Sequence, residues 1–228
     1  MIKQTVLYDK HVLLNAKMAP FAGYMMPMSY SGIINEHNAV RNMLGVFDVS
    51  HMGEIKISGE GAESFLQLLT VNNVKKVSVG QAQYSALCST DGGIIDDIVL
   101  YRFEEYYMMV VNAANIQYDY NWLIKNSNDD VVIEDISGYM NLIAVQGPKS
   151  LDVLNDILGC TLNQLKYYHF LQLKFNDDMI TVSRTGYTGE LGFEIYANNK
   201  STVSFWEDIL NYEPLKVTPV GLGARDTL

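Results

Sequence analysis

Residues 91–103 read DGGIIDDIVLYRF. The turn at Asp91-Gly92-Gly93 commits Ile94 to Phe103 to a strand folded back on the run before it. Two adjacent carboxylates, Asp96 and Asp97, stand inside that apolar strand. Aspartate is depleted in strands, and burying a carboxylate without partners is costly. Neighbouring strand residues point to opposite faces. One face therefore carries Ile95, Asp97, Val99 and Tyr101; the other carries Ile94, Asp96, Ile98, Leu100 and Arg102. At least one acid is expected to meet a group that compensates its charge. An exposed edge strand is the alternative.

The same periodicities organise the rest of the chain. Strands are predicted over 53–58, 82–90, 94–103, 106–112, 131–135, 141–146, 170–175, 178–184 and 191–196, several joined by short turns. Helical spacing appears at Ile33, His37, Val40 and Leu44, with Gly45 as the expected C-terminal cap. It recurs around Phe65 to Leu69, Ile116 to Ile124, Leu151 to Leu158 and Val203 to Leu210. Pro148 opens the fourth of these helices and Gly159 closes it. The expected class is α+β, with mixed, largely antiparallel sheets and flanking helices. The expected organisation is a discontinuous first domain, 1–52 plus 137–228, and a second α+β domain, 53–136, inserted into it. The last residues, PVGLGARDTL, read as a glycine-rich turn running into a helix that is only starting, as in a truncated chain.

Composition narrows the function. The chain has 228 residues, 48% of them hydrophobic, and a formal net charge of −10. Nucleic acid and anionic membranes need clustered Lys and Arg, and no such cluster is present, so neither partner is expected. Cys88 and Cys160 have no zinc spacing and read as free thiols of a reducing compartment. The N-terminus lacks the apolar core of a signal peptide. Apolar runs such as Tyr106 to Val111 fall far short of the ~20 residues of a membrane span. A soluble, cytoplasmic protein is expected. No metal is expected at Asp96-Asp97, because adjacent strand residues diverge and no His or Glu lies at ligand spacing.

Two more segments carry possible chemistry. Residues 183–196, SRTGYTGELGFEIY, place three glycines in a tight loop before a strand. Glycine permits close backbone approach to a ligand; Tyr187 sits at the loop tip and Glu194 in the strand beyond. A plain hairpin loop with an outward Glu is the alternative. The loop is not a phosphate loop, since no Gly-Lys-Ser/Thr ending follows. His51, in VFDVSHMGE, has no partner by spacing that would make a nucleophilic triad and is read as structural. The Met- and Tyr-rich run PFAGYMMPMSY is read as packing.

Several segments in one order resemble a single family, the tetrahydrofolate-dependent aminomethyltransferase, or T-protein, of the glycine cleavage system. They are TVLYDKHVLLNAKMAPFAGYMMPMSY, GVFDVSHMGE, YSALCSTDGGIIDDIVLY, VVNAANI, IAVQGPKS, SRTGYTGELGFEIY and GLGARDTL. The resemblance spans essentially the whole chain. Tyr24 stands where the family usually has Trp. Family members continue beyond GLGARD into a third, β-rich domain, so the resemblance implies the first two domains of a three-domain fold.

The resemblance also implies a reaction. The one-carbon unit carried on the aminomethyl-dihydrolipoyl arm of a lipoylated H-protein passes to tetrahydrofolate as co-substrate, with release of ammonia. Asp97 is the motif acid carried over as catalytic; Tyr101 shares its face, and Asp96 is then structural and points away. Glu194 is expected to accept the paired N–H donors of the pterin edge. Met52, Tyr84, Asn112, Tyr167, Tyr187 and Arg225 match folate-pocket positions. Two other readings stay open at this point: a non-catalytic folate-binding module of the same fold, and the folate domain of a demethylating oxidase.

Overall fold

The computed structural model describes residues 2–228. In chain order the first elements are α1 (Tyr8–Leu13), β1 (Lys17–Phe21), β2 (Tyr24–Ser29), α2 (Ile33–Asn42) and β3 (Gly45–Asp48). There follow β4 (Gly53–Ser58), α3 (Ala62–Leu69), β5 (Gln81–Cys88), β6 (Ile94–Arg102), β7 (Tyr106–Val111), α4 (Ile116–Asn126) and β8 (Val132–Asp135). The last are β9 (Met140–Gln146), α5 (Ser150–Leu158), β10 (Phe170–Phe175), β11 (Asp178–Ser183), β12 (Gly192–Asn198), α6 (Asn199–Leu210), β13 (Thr218–Pro219) and α7 (Leu222–Arg225). The class is α+β. The chain divides into two compact units, Met1–His51 with Met140–Leu228, and Met52–Tyr139.

The first unit holds a six-stranded sheet in the order β10-β11-β12-β9-β3-β13. Its pairs are antiparallel except β13 on β3. Phe193 and Ile195 alternate along β12 toward a core with Phe205, Trp206 and Ile209 of α6 and Val153 and Leu154 of α5. The period of 2 on the strand and of 3 to 4 on the helices meets at that one layer. α5 ends on Gly159, whose φ of 58° is the left-handed cap conformation.

The second unit is a five-stranded antiparallel sheet, β5-β6-β7-β4-β8. One face is covered by α3 and α4: Phe65, Leu66, Leu69 and Leu123 pack on Ile55, Ile57, Ile98, Leu100 and Met109. β6 thus buries Ile98 and Leu100 against the helices, as the alternation predicts. The helix-facing register also carries Asp96, which is buried.

One local expectation is corrected, and one run has a structure that the sequence reading did not assign. Gly45 is not a helix cap: α2 stops at Asn42 with Met43 as its C-cap, and Gly45 opens β3. A Cβ at Gly45 would lie 2.5 Å from Val40 and 2.7 Å from Val220, so glycine is needed for packing. The run PFAGYMMPMSY, read mostly as packing, is mostly the β1–β2 hairpin. Its turn residues Ala22 and Gly23 both have positive φ, 46° and 86°, the two-residue hairpin conformation. Ala-Gly lacks the Asn-Gly or Asp-Gly signal that marks such turns in sequence. Among the described residues no helix is long and apolar enough to cross a membrane.

Candidate functional site

In the second unit Asp97 is half-buried on β6. Its Oδ2 accepts from the Tyr84 hydroxyl at 3.2 Å, and its Oδ1 accepts from Asn112 Nδ2 at 2.8 Å. Register explains the meeting. Asp97 pairs with Ala86, so Tyr84 lies two residues along β5; Val99 pairs with Val110, so Asn112 leaves β7 beside Asp97. The Asp97 charge, more than burial, raises the Tyr84 hydroxyl above its usual pKa and keeps it a donor. Gly53 pairs with Val111, so Met52, half-buried, and Asn112 sit at the same end of the sheet. Tyr101 lies on Asp97's strand face but has no exposed surface; in this structure it packs and does not present its ring.

Asp96 is expected from the sequence to be structural and to point away from Asp97. It does face α4, but the same Asn112 amide reaches both acids. Asp96 accepts from Asn112 N at 2.9 Å, from Asn112 Nδ2 at 3.0 Å and from Asn115 Nδ2 at 2.7 Å. Among the described residues, neutral amides and not a cation bond to it. Asp119, one turn into α4 and fully buried, adds a third carboxyl, against Asp96. Sequence reasoning missed Asn115 and Asp119. A signal existed: Asp119 falls at i+3 from Ile116 on the stripe that continues to Leu123, an acid on the apolar face of its helix.

In the first unit the remaining candidates gather at one end of the six-stranded sheet. Phe170 pairs with Ser183 and Ser183 with Glu194. Tyr167, exposed, precedes β10, and its segment is tied to β11 by Tyr168 N donating to Arg184 O and Arg184 N donating to His169 O. Glu194 is half-buried, with the Thr185 hydroxyl bonded to its Oε2. Tyr187 is exposed, and its ring centroid is 5.1 Å from the Arg225 guanidinium, within cation–π range. His51 is buried, its ring edge-on to Phe21 at 5.4 Å between centroids. Burial pushes its pKa down to about 4, with Asp48 opposing and Arg225 assisting, so it is neutral at pH 7.

The glycines of the 183–192 loop have a structural use. The buried Gln146 side chain threads the loop: its Nε2 donates to Thr185 O at 3.3 Å and Phe193 O at 3.2 Å, and its Oε1 accepts from Thr188 Oγ1 at 2.6 Å. A Cβ at Gly186 or Gly192 would fall 2.3 Å from Gln146 Oε1. These two glycines make room for a side chain of the same protein, where sequence reading allowed for a ligand. Gly192→Ala must displace the amide from all three bonds. It is expected to cost about 2–4 kcal/mol of stability, read as a lower urea midpoint; a change under about 0.5 kcal/mol would show that Gln146 can swing aside.

The same unit holds a buried polar group that the sequence did not expose. His11 Nε2 lies 2.8 Å from Asp48 Oδ2, Thr5 donates to the same oxygen at 2.6 Å, and Ser50 N donates to Oδ1 at 2.9 Å. Burial alone would raise the Asp48 carboxyl, but the His11, Thr5 and Ser50 bonds hold it below its usual range. Trp206 packs edge-on to His11, which marks this group as core architecture.

Comparison with known proteins then bears on the whole chain. The family model described as the GCVT N-terminal domain matches residues 7–228. A curated aminomethyltransferase of Chloroherpeton thalassium is 46% identical over 230 residues, with 100% of this chain and 64% of that protein covered. One of Chlorobium luteolum is 44% identical over 232 residues, with the same coverage of 100% and 64%. The chain therefore spans 64% of the length of these relatives. The crystal structure of glycine cleavage system aminomethyltransferase T from Bartonella henselae superposes with a TM-score of 0.91 at 34% identity, over 100% of this chain and 62% of that one. Heterotetrameric sarcosine oxidase from Corynebacterium sp. U-96 shares the fold alone, at a TM-score of 0.55 and 13% identity over 78% of this chain and 90% of that one.

Proposed function

The chain belongs to the family of the GCVT N-terminal domain, and on that premise we propose that it serves as the aminomethyltransferase of a glycine cleavage system. The substrates are the aminomethyl-dihydrolipoyl arm of an H-protein and tetrahydrofolate, and ammonia leaves. The observation that carries this reading is the setting of Asp97. A half-buried carboxylate stands in an apolar strand, with a hydroxyl donating to one oxygen and an amide to the other. A pure binding module has little need of it.

Tetrahydrofolate supplies the amine that takes up the one-carbon unit. The protein's own part is to orient that amine and to stabilise positive charge beside it. Asp97 does this as a carboxylate fixed through both oxygens. Asn112 and Tyr84 set its direction, and Met52 borders the same strand end. Tyr101 backs the strand. Tyr167, Tyr187 and Arg225 serve as stacking and polar contacts for the folate. Glu194 receives the pterin's paired donors: a carboxylate offers about four acceptor sites, so the Thr185 bond is compatible with two more. The free thiols of Cys88 and Cys160 fit a reducing cytoplasm.

Calorimetric titration with tetrahydrofolate tests the reading. Glu194→Ala is expected to weaken binding about 10- to 150-fold, the loss of 1.5–3 kcal/mol for a charged hydrogen-bonded contact. Unchanged affinity removes the pterin role of Glu194. Absence of binding by both this chain and the full-length protein removes the folate reading itself.

A further inference from the structure

Asp119 presents a chemical problem that the fold must answer. It is fully buried, and neither carboxyl oxygen meets a hydrogen-bond donor. Asp119 stands one helical turn beyond Asn115, its N–H donating to Asn115 O, and the Asn115 side chain reaches Asp96, so the charged group beside it is another carboxylate. Two carboxylates in contact cannot both ionise in a site shut off from water. A protonated carboxyl is a donor, and Asp96 is the acceptor at hand. Asp96 already takes three bonds, two from Asn112 and one from Asn115. A carboxylate has about four acceptor sites, so an O–H from Asp119 completes its shell.

The consequence passes along a continuous chain of contacts. The two amide hydrogens of Asn112 are drawn to Asp96 Oδ1 at 3.0 Å and Asp97 Oδ1 at 2.8 Å. The plane of that amide is therefore set by Asp96, and one oxygen of Asp97 is anchored by the amide. The other accepts from the Tyr84 hydroxyl.

We propose that Asp119 is a positioning residue for Asp97: Asp119 and Asp96 share one proton, and the pair aims the Asp97 carboxylate through the Asn112 amide. The role rests on the reading of Asp97 as the acting acid. β6 brings Asp96 and Asp97, β5 brings Tyr84, and the turn before α4 brings the neutral amides of Asn112 and Asn115. The rest of the inward face of α4, Ile116, Tyr120 and Leu123, packs into the apolar core.

The shared proton has a pH signature. Burial first, and Asp96 second, push the Asp119 carboxyl from 3.8 up to about 8. Folded protein therefore keeps a proton that the unfolded chain releases. The stability contributed by the pair is full below pH 3.8 and is lost progressively until about pH 8. Above that, two charges face each other and the Asn112 bridge loosens.

Infrared spectroscopy of the folded protein tests the proton directly. Wild type is expected to show a buried protonated-carboxyl band that titrates with a midpoint near pH 8, absent in Asp119→Asn. Persistence of the band in Asp119→Asn, or no such band in wild type, overturns the shared proton. Turnover of the full-length enzyme tests the positioning. Asp119→Ala is expected to lower kcat on the order of 10- to 100-fold with folate affinity kept. The amide of Asp119→Asn mimics the protonated acid; it should restore kcat and abolish the alkaline fall near pH 8. An unchanged alkaline fall in Asp119→Asn overturns the positioning role. Full turnover of Asp97→Asn, with the band as expected, overturns the role through Asp97 while the proton sharing stands.

Discussion

Replacing Glu36 with alanine is expected to lower the unfolding free energy by about 3–5 kcal/mol, because several buried backbone N–H donors lose their acceptor at about 1–3 kcal/mol each. Glu36 has no exposed surface. Its Oε1 accepts from the backbone N–H groups of Tyr30, Ser31 and Gly32 at 2.6, 2.8 and 2.9 Å. Its Oε2 accepts from Gly221 N at 2.8 Å, a residue 185 positions away. The carboxylate thus fills a nest of amides before α2 and pins the strand-to-helix turn before α7. Alanine would orphan all four donors. Glutamine keeps an acceptor for the three clustered amides but turns its own N–H₂ toward Gly221, so an intermediate loss is expected. Gly221 is packed closely, since a Cβ there would lie 2.3 Å from the Met28 carbonyl. Chemical denaturation of both variants measures the effect. A loss below about 1 kcal/mol for alanine would mean that water replaces the carboxylate, and that this turn is not held as described.

Asp97→Asn in the full-length enzyme is expected to lower kcat about 10²- to 10⁴-fold, the span of general acid–base assistance, with little change in folate affinity. The substitution tests charge because it spares geometry. The amide carbonyl can still accept from Asn112 Nδ2, and the amide nitrogen can face the Tyr84 hydroxyl, whose oxygen accepts as well as donates. What is lost is a negative charge beside the reacting amine. A mutation that removes an interaction made in the transition state lowers kcat and kcat/KM together. Equal or larger loss of folate binding would make Asp97 a binding group and would sink the catalytic assignment.

Much of the fold was legible because strands and helices are local. β4 and β10 match the predicted spans 53–58 and 170–175 residue for residue, and β6 and β7 differ by one at the C-terminal end. β4 (GEIKIS) and β10 (FLQLKF) alternate, and β6 opens on the Asp91-Gly92-Gly93 turn, whereas β7 (YYMMVV) is read from its length and its continuous apolar character. α5 was legible from Pro148 and Gly159, since each residue type does one conformational job there. Where local signals were weak or shared, reading failed. The β1–β2 turn is made by Ala22, an uncommon residue at positive φ. Gly45 carried a cap signal but serves close packing between Val40 and Val220.

Of the candidate residues, Tyr84, Asp97 and Asn112 are brought together by strand register, which alternation and turn lengths nearly specify. The loop with Tyr187 was visible from its glycines, but not what those glycines accommodate. Gln146 is 42 residues from its partner Thr188. Nothing in the local pattern of VQGP distinguishes a threaded glutamine from an exposed one.

By itself, then, the sequence determined the α+β class, most element positions, the family, and the unusual acid pair in a strand. Periodicity and turn chemistry act over a few residues, and the chain records them directly. Only the tertiary structure decided which buried groups meet. Asp119 lies against Asp96, Glu36 reaches Gly221, and Gln146 fills the space left by Gly186 and Gly192. Those choices follow from helix packing and strand order, and burial makes each of them costly to change. A buried polar group without its particular partner loses its hydrogen bonds to water and gains nothing in return.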